Sequence, residues 1–285
     1  MPSAGIVRSR RFAVFPLAVL VAGAALCASG PAPLGPGEPV VLVHGLGHDA
    51  TLMKPLADAL QAEGFRTCSI DYPSLKYRID TLAALFVLPA VRRCFPKDTI
   101  PIHFVTHSMG GLVVRRLEKL NATQHLFKFG RVVMIAPPNK GSQVVDRLGL
   151  WEPFSPWGGA AARELGTRGE KTIVLRLGTP AFTFGIIAGT LSVEPFFSRM
   201  LPGPDDGKVS VENTKLAGMS DFVEIHASHT RILRRPETMQ QTVAFLKTGR
   251  FLHPPEKTQS ELESPDSAGM VPALLVVPGQ NERAQ

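Results

Sequence analysis

Ser108 stands where "IHFVTH" gives way to "MGGLVVRRLEKL", between His107 and Met109-Gly110-Gly111. The residues before it are strand-forming, and Leu112, Val113, Leu117 and Leu120 then recur at helical spacing. A strand that turns at once into a helix brings two backbones very close, so the flanking residues must be small. Gly110 and Gly111 meet that demand on the helix side, and Thr106 is the bulkier residue on the strand side. Such a turn lifts the hydroxyl beyond the carboxyl edge of a parallel sheet and aims the free N–H groups of the helix N-terminus at it. Two roles fit: a helix cap, or a nucleophile held out for reaction. On this stretch alone they stand level.

The segment "VVLVHGLG" (40–47) puts a second tight turn at the end of another apolar strand. There the Leu46 backbone N–H can face Ser108, while Met109 offers the N–H next to the serine. Two such donors stabilise the oxyanion of an acyl-transfer intermediate. A serine hydroxyl also needs a base, and the base an acid to orient it. Two histidines follow late enough in the chain. His226 falls inside "VEIHA", where a strand would lock it into the sheet. His229 follows in the loop before the last helix, where a side chain can reach Ser108. For the acid, "GPDDGKV" (203–209) offers Asp205 and Asp206, although Asp-Gly is also a turn signal. Asp71, Asp146 and Asp221 are weaker rivals. His44 and His107 read as packing residues beside the turns, and His48 as a solvated loop histidine near the oxyanion site.

"HGLG", "THSMGG", "APPNKGS" (136–142), "DGKV" and the late histidine occur here in one order over about residues 38 to 250. In this the chain resembles the α/β-hydrolase superfamily, in its branch of secreted bacterial lipases and esterases of the triacylglycerol-lipase type. Thr106 departs from the G-x-S-x-G pattern. The resemblance implies Ser108 as nucleophile, Asp206 as the acid (the aspartate directly before Gly-x-Val) and His229 as the base. It implies a serine hydrolase that cleaves lipid-like carboxylic esters through an acyl-enzyme. An acyltransferase or amidase with the same triad remains open, as does a non-catalytic protein that binds a lipid or a partner. No cofactor or metal is expected, because no Cys, His and carboxylate cluster has ligand spacing and "GLGHDA" lacks the glycines of a dinucleotide loop.

The elements that must position these groups alternate from Pro39 onward. Strands are expected at 39–45, 66–73, 102–107, 131–138 and 221–228, with helices at 51–65, 78–95, 109–120 and 236–249. The second of these helices is expected to kink at Pro89. This rhythm predicts an α/β fold, a mostly parallel central sheet with helices on both faces. It breaks at 144–171, returns with "TFGIIAG" (183–189), and breaks again before Asp206. A small cap-like insert is therefore expected over about 144–202. Its Trp151, Phe154, Trp157, Phe196 and Phe197 can line an apolar groove for an acyl chain or plug the cap's own core.

The ends read differently from the middle. Arg8, Arg10 and Arg11 precede the fifteen-residue apolar run "FAVFPLAVLVAGAAL" and then small residues, the pattern of a signal peptide over 1–29 or of an uncleaved N-terminal anchor. That implies an exported protein, periplasmic or secreted, in which Cys68 and Cys94 can form a disulfide. Residues 252–285 are rich in Pro, Ser and Glu without periodicity and read as a disordered tail. Net charge is +7, with three of those charges in the N-terminal segment and the rest scattered. No basic patch interleaves with aromatics, so nucleic acid is not an expected partner. A small-molecule or lipid ester is, and with it contact at a lipid interface.

Overall fold

Among the described residues, six strands, all parallel, form one sheet in the order β2-β1-β3-β4-β5-β6. They are β1 (Pro39–Val43), β2 (Arg66–Ile70), β3 (Ile102–His107), β4 (Phe129–Ile135), β5 (Phe184–Gly189) and β6 (Asp221–Ile225). The computed structural model describes residues 37–96, 100–148, 159–167 and 172–254. The N-terminal segment 1–29, the tail from 255, and Trp151, Phe154 and Trp157 lie outside the described residues.

Every residue of β1, β3 and β5 is buried, which is why these strands read as continuous apolar runs rather than alternating ones. Successive side chains still point to opposite faces. Val41, Val43, Phe104, Val132, Met134, Phe184 and Ile186 join one core cluster, and Val40, Leu42, Val105, Val133, Ile135 and Ile187 the other. Helices α1 (Lys54–Ala62) and α10 (Pro236–Thr248) cover the second face through Leu56, Leu60, Phe245 and Leu246. On the first face lie α2 (Ile79–Thr81), a π-helical stretch Leu82–Val87, α3 (Leu88–Cys94) and α4 (Met109–Gln124). The chain runs from β1 outward to β2 and then returns to the other side of β1 as β3. That reversal opens a crevice beyond the carboxyl ends of β1 and β3, where ligands bind in sheets of this kind.

Two expectations are corrected and one, at Pro89, is made specific. The strands at 39–45, 66–73, 131–138 and 221–228 each end two or three residues earlier, because their last residues turn out of the sheet to build loops. The helix around Pro89 accommodates its missing N–H through the π-helical turns of Leu82–Val87 just ahead of it. The span 144–202 is not one insert, since β5 divides it and pairs with both β4 and β6 inside the sheet. Short helices occupy its flanks: α5 (Gln143–Leu148), α6 (Gly159–Ala162) and α7 (Ile173–Leu177) before β5, and α8 (Pro195–Ser198) after it. The short α9 (Val211–Thr214) leads on toward β6.

Cys68 of β2 and Cys94 at the end of α3 are joined as a disulfide, with Cα atoms 6.2 Å apart and a sequence separation of 26. Closing a loop of that size removes unfolded-state entropy worth about 3 kcal/mol. It ties α3 to β2, the edge strand of the sheet.

Candidate active site

Ser108 stands directly before α4 with φ 52° and ψ −126°, a positive φ in a residue with a Cβ. Conformations of this kind cost about 1–3 kcal/mol and persist where the surroundings enforce them. Here the Ser108 N–H donates to the Ile135 carbonyl at 2.9 Å, and the Gly111 N–H returns to the Ser108 carbonyl at 3.0 Å. Glycine is required at two neighbouring positions by close approach. A Cβ on Gly110 would stand 2.5 Å from the Val43 carbonyl oxygen, and one on Gly45 would stand 2.9 Å from Cβ of Ser108. The serine hydroxyl makes no capping bond to its own helix. It donates instead to His229 Nε2, 3.0 Å away.

His229 lies past the end of β6, 121 residues from Ser108. Its Nδ1–H donates to Asp206 Oδ2 at 2.7 Å, and its backbone N–H donates to the Asp206 carbonyl at 2.9 Å. The other carboxylate oxygen of Asp206 accepts from the Lys208 and Val209 N–H groups, both at 2.9 Å. Asp206 is 2% exposed, so its whole acceptor capacity is turned inward. Asp205 has a different task. It accepts from Ser198 Oγ and the Gly207 N–H and so fastens the turn that presents Asp206. Of the other acids, Asp71 is largely exposed beside His44, Asp146 accepts from the Thr167 N–H, and Asp221 accepts from the Phe251 N–H.

His226 is the corrected residue. It lies beyond the last residue of β6 rather than in the sheet, is exposed, and has Thr190 Oγ1 3.4 Å from its Nδ1. His107 is fully buried, and its Nε2–H donates to the His229 carbonyl at 2.9 Å, so it holds the His229 backbone as well as packing. Burial first, and then the neighbouring His229, push the His107 imidazole well below its ordinary range. His107 therefore stays neutral in the fold and takes up a proton in the unfolded chain near pH 6.5. Stability must fall as pH drops below that value, by up to about 1.4 kcal/mol per unit from this group. Urea unfolding at pH 7 and pH 5.5 checks this: His107→Asn is expected to lose about 1 kcal/mol less across the interval than the wild type. Equal losses would refute the assignment.

A half-open cavity of about 210 Å³ lies at the serine. Its apolar lining comes from Leu46, Pro138, Val144, Val145, Leu165 and Val209, and Ser108, His229 and His48 also border it. Neither the Leu46 nor the Met109 N–H has a protein acceptor among the described residues. Phe196 and Phe197, expected to line an acyl groove, do not border this cavity: Phe196 is exposed, and Phe197 lies under the Lys208 ammonium at 4.1 Å. The lining residues at 144, 145 and 165 were missed because short aliphatic side chains in an irregular stretch carry no sequence signal of a site. A more open groove of about 470 Å³ adjoins at His48 and runs along Gly47, Tyr72, Ser74 and Arg234.

Comparison with known proteins agrees with this architecture. The family model for the alpha/beta hydrolase family matches residues 40–276. Among solved structures, the mature lipase BlEst2 of Bacillus licheniformis aligns with a TM-score of 0.59 at 20% identity, covering 76% of this chain and 95% of that one. Phospholipase PlaB of Legionella pneumophila aligns at 0.58 and 18% identity, over 75% of this chain and 59% of that one. A metagenomic carboxyl esterase, MGS0156, gives 0.54 at 20% identity, with 71% and 68% covered. No curated protein matches the sequence significantly. At these identities the structural neighbours speak for the fold. A parallel sheet whose β3 ends in a strained serine turn, matched over most of its length by one family model, places the chain in the alpha/beta hydrolase family.

Proposed function

We propose that this hydrolase cleaves carboxylic esters with an apolar acyl group, using Ser108 as nucleophile. The observation that carries the reading is the continuous path Ser108 Oγ–H to His229 Nε2, and Nδ1–H to Asp206 Oδ2, at 3.0 and 2.7 Å. In it His229 takes the serine proton as the carbonyl is attacked and hands it to the leaving alkoxide. Asp206 fixes the tautomer that leaves Nε2 free to accept, and stabilises the imidazolium once formed. The Leu46 and Met109 amides receive the oxyanion. The acyl-enzyme is then released by water along the same path in reverse. The apolar cavity beside the serine is the natural seat of the acyl chain.

The lipid-like ester expected from the sequence narrows on cavity size. About 210 Å³ lies below the roughly 300–1,000 Å³ common for drug-sized ligands. A panel of p-nitrophenyl esters is therefore expected to give its highest kcat/KM at short to medium acyl chains and to decline toward long ones. No turnover at any length would overturn the reading. Faster attack on amides, or transfer to an added alcohol in preference to water, would move the activity to an amidase or acyltransferase on the same machinery. Exposed Phe196 and Val193, close in sequence to the catalytic acid, favour contact with an aggregated lipid surface. Export is favoured by the Cys68–Cys94 disulfide, a bond of oxidising compartments.

A further inference from the structure

Leu46 sits in a loop without regular structure, between the end of β1 and the first helical turn at Ala50. A backbone N–H stabilises an oxyanion fully only if it is fixed before the charge develops. The Leu46 side chain packs against the first core cluster, but Gly47 just beyond it is exposed, and a Cβ added there would meet nothing within 4 Å. Two side chains from the segment after β2 grip the loop, one on each side of Leu46. Tyr72 Oη donates to the His44 carbonyl at 2.5 Å, and its ring stacks on the His44 imidazole with centroids 4.1 Å apart. Ser74 Oγ accepts from the Gly47 N–H at 3.0 Å.

The gripping segment is itself rigid. The Ser74 N–H donates to the Tyr72 carbonyl at 2.8 Å and the Lys76 N–H to the Pro73 carbonyl at 2.9 Å. Tyr72 and Ser74 are each 4% exposed, and burial raises the Tyr72 phenol above its ordinary value, so the phenol remains a donor. The His44 Nδ1–H closes the inner end of the loop on the Gly45 carbonyl at 2.9 Å.

We propose that Tyr72 and Ser74 are positioning residues that clamp the 44–47 loop so that the Leu46 N–H is held at the oxyanion. The proposal rests on the reading of Ser108 as nucleophile. A clamp of this kind acts on the tetrahedral intermediate and leaves ground-state binding alone. Loss of an oxyanion donor costs about 10²–10³ in kcat, and a donor that is loosened rather than removed costs less, about tenfold.

The test is Ser74→Ala and Tyr72→Phe, singly and together, the latter keeping the ring stack and removing only the hydroxyl. Turnover of the best ester is expressed per active site titrated to completion with a fluorophosphonate, so that misfolded protein does not count. Inhibition by an alkylboronic acid, whose tetrahedral adduct on serine places an anionic oxygen in the same position, is measured beside it. Each single variant is expected to lose about tenfold in kcat with KM unchanged, and to raise the boronate Ki by the same factor. Melting temperatures report separately on any purely structural role, and a double variant that does not fold leaves the two singles to decide. A kcat per titrated site within twofold of wild type would overturn the clamp, as would a fall in kcat with no change in boronate Ki. Wild-type protein that the fluorophosphonate does not label would overturn the nucleophile reading and the clamp with it, whereas a labelled wild type with unaffected variants overturns the clamp alone.

Discussion

Ser108→Ala is expected to lower turnover of p-nitrophenyl esters by roughly 10⁴- to 10⁶-fold while the protein folds as before. The two halves of this expectation have separate causes. Activity goes because the attacking oxygen is gone, and the Leu46 and Met109 amides then polarise a carbonyl that nothing attacks. Stability stays because Ala adopts the same φ of 52° at the same cost as Ser. Replacing the serine by glycine separates the terms further. Ser108→Gly is equally inactive but relieves the backbone strain, and should resist urea by about 1 kcal/mol more than Ser108→Ala. That difference, read from denaturation midpoints, measures the strain that the fold stores at the turn. Residual turnover near the wild-type rate in either variant would remove Ser108 from the mechanism.

The second large effect ranks the two late histidines. His229→Ala should cost about 10⁴-fold in kcat/KM, and His226→Ala no more than about twofold. His229 accepts the proton of Ser108 at 3.0 Å, whereas His226 faces Thr190 and solvent beyond the end of β6. Asp206→Asn belongs to the same unit. It can leave the imidazole in the wrong tautomer, and alone should cost about 10³- to 10⁴-fold. Because the acid acts through the base, His229→Ala combined with Asp206→Asn should be little worse than His229→Ala alone. Full additivity, or a reversed ranking of the two histidines, would show that the base had been misassigned.

What the sequence revealed and what it hid follow from the range of the forces involved. The turn at Ser108 was legible because its requirements are local: small residues at 110 and 111, an apolar run before and a helical stripe after. The parallel sheet was legible for the same reason, each buried strand announcing itself without reference to its partners. β5 reads as an ordered segment, yet it falls inside the insert expected over 144–202, because only pairing with β4 and β6 places it in the sheet. Asp205 and Asp206 are adjacent and chemically alike. What distinguishes them is a contact with a residue 23 positions away. Tyr72 and Ser74 gave no sign at all, since a clamp on another loop is a tertiary fact without periodicity or turn chemistry. His107 reads as packing, and packing is only part of what it does, because its ring also holds the backbone of His229.

Ser108, Asp206, His229 and the Leu46 loop converge because β1, β3, β5 and β6 are parallel and end at the same rim of the sheet, and each of these residues follows one of those ends. The central claim is that this convergence activates one hydroxyl. The most direct measurement is labelling by a fluorophosphonate, followed by intact mass and mapping of the modified peptide, in wild type and in His229→Ala. The account predicts one adduct per chain, on Ser108, forming rapidly in the wild type and at least about a hundredfold more slowly without the imidazole. An unlabelled wild-type protein, an adduct on another residue, or a rate indifferent to His229 would contradict it.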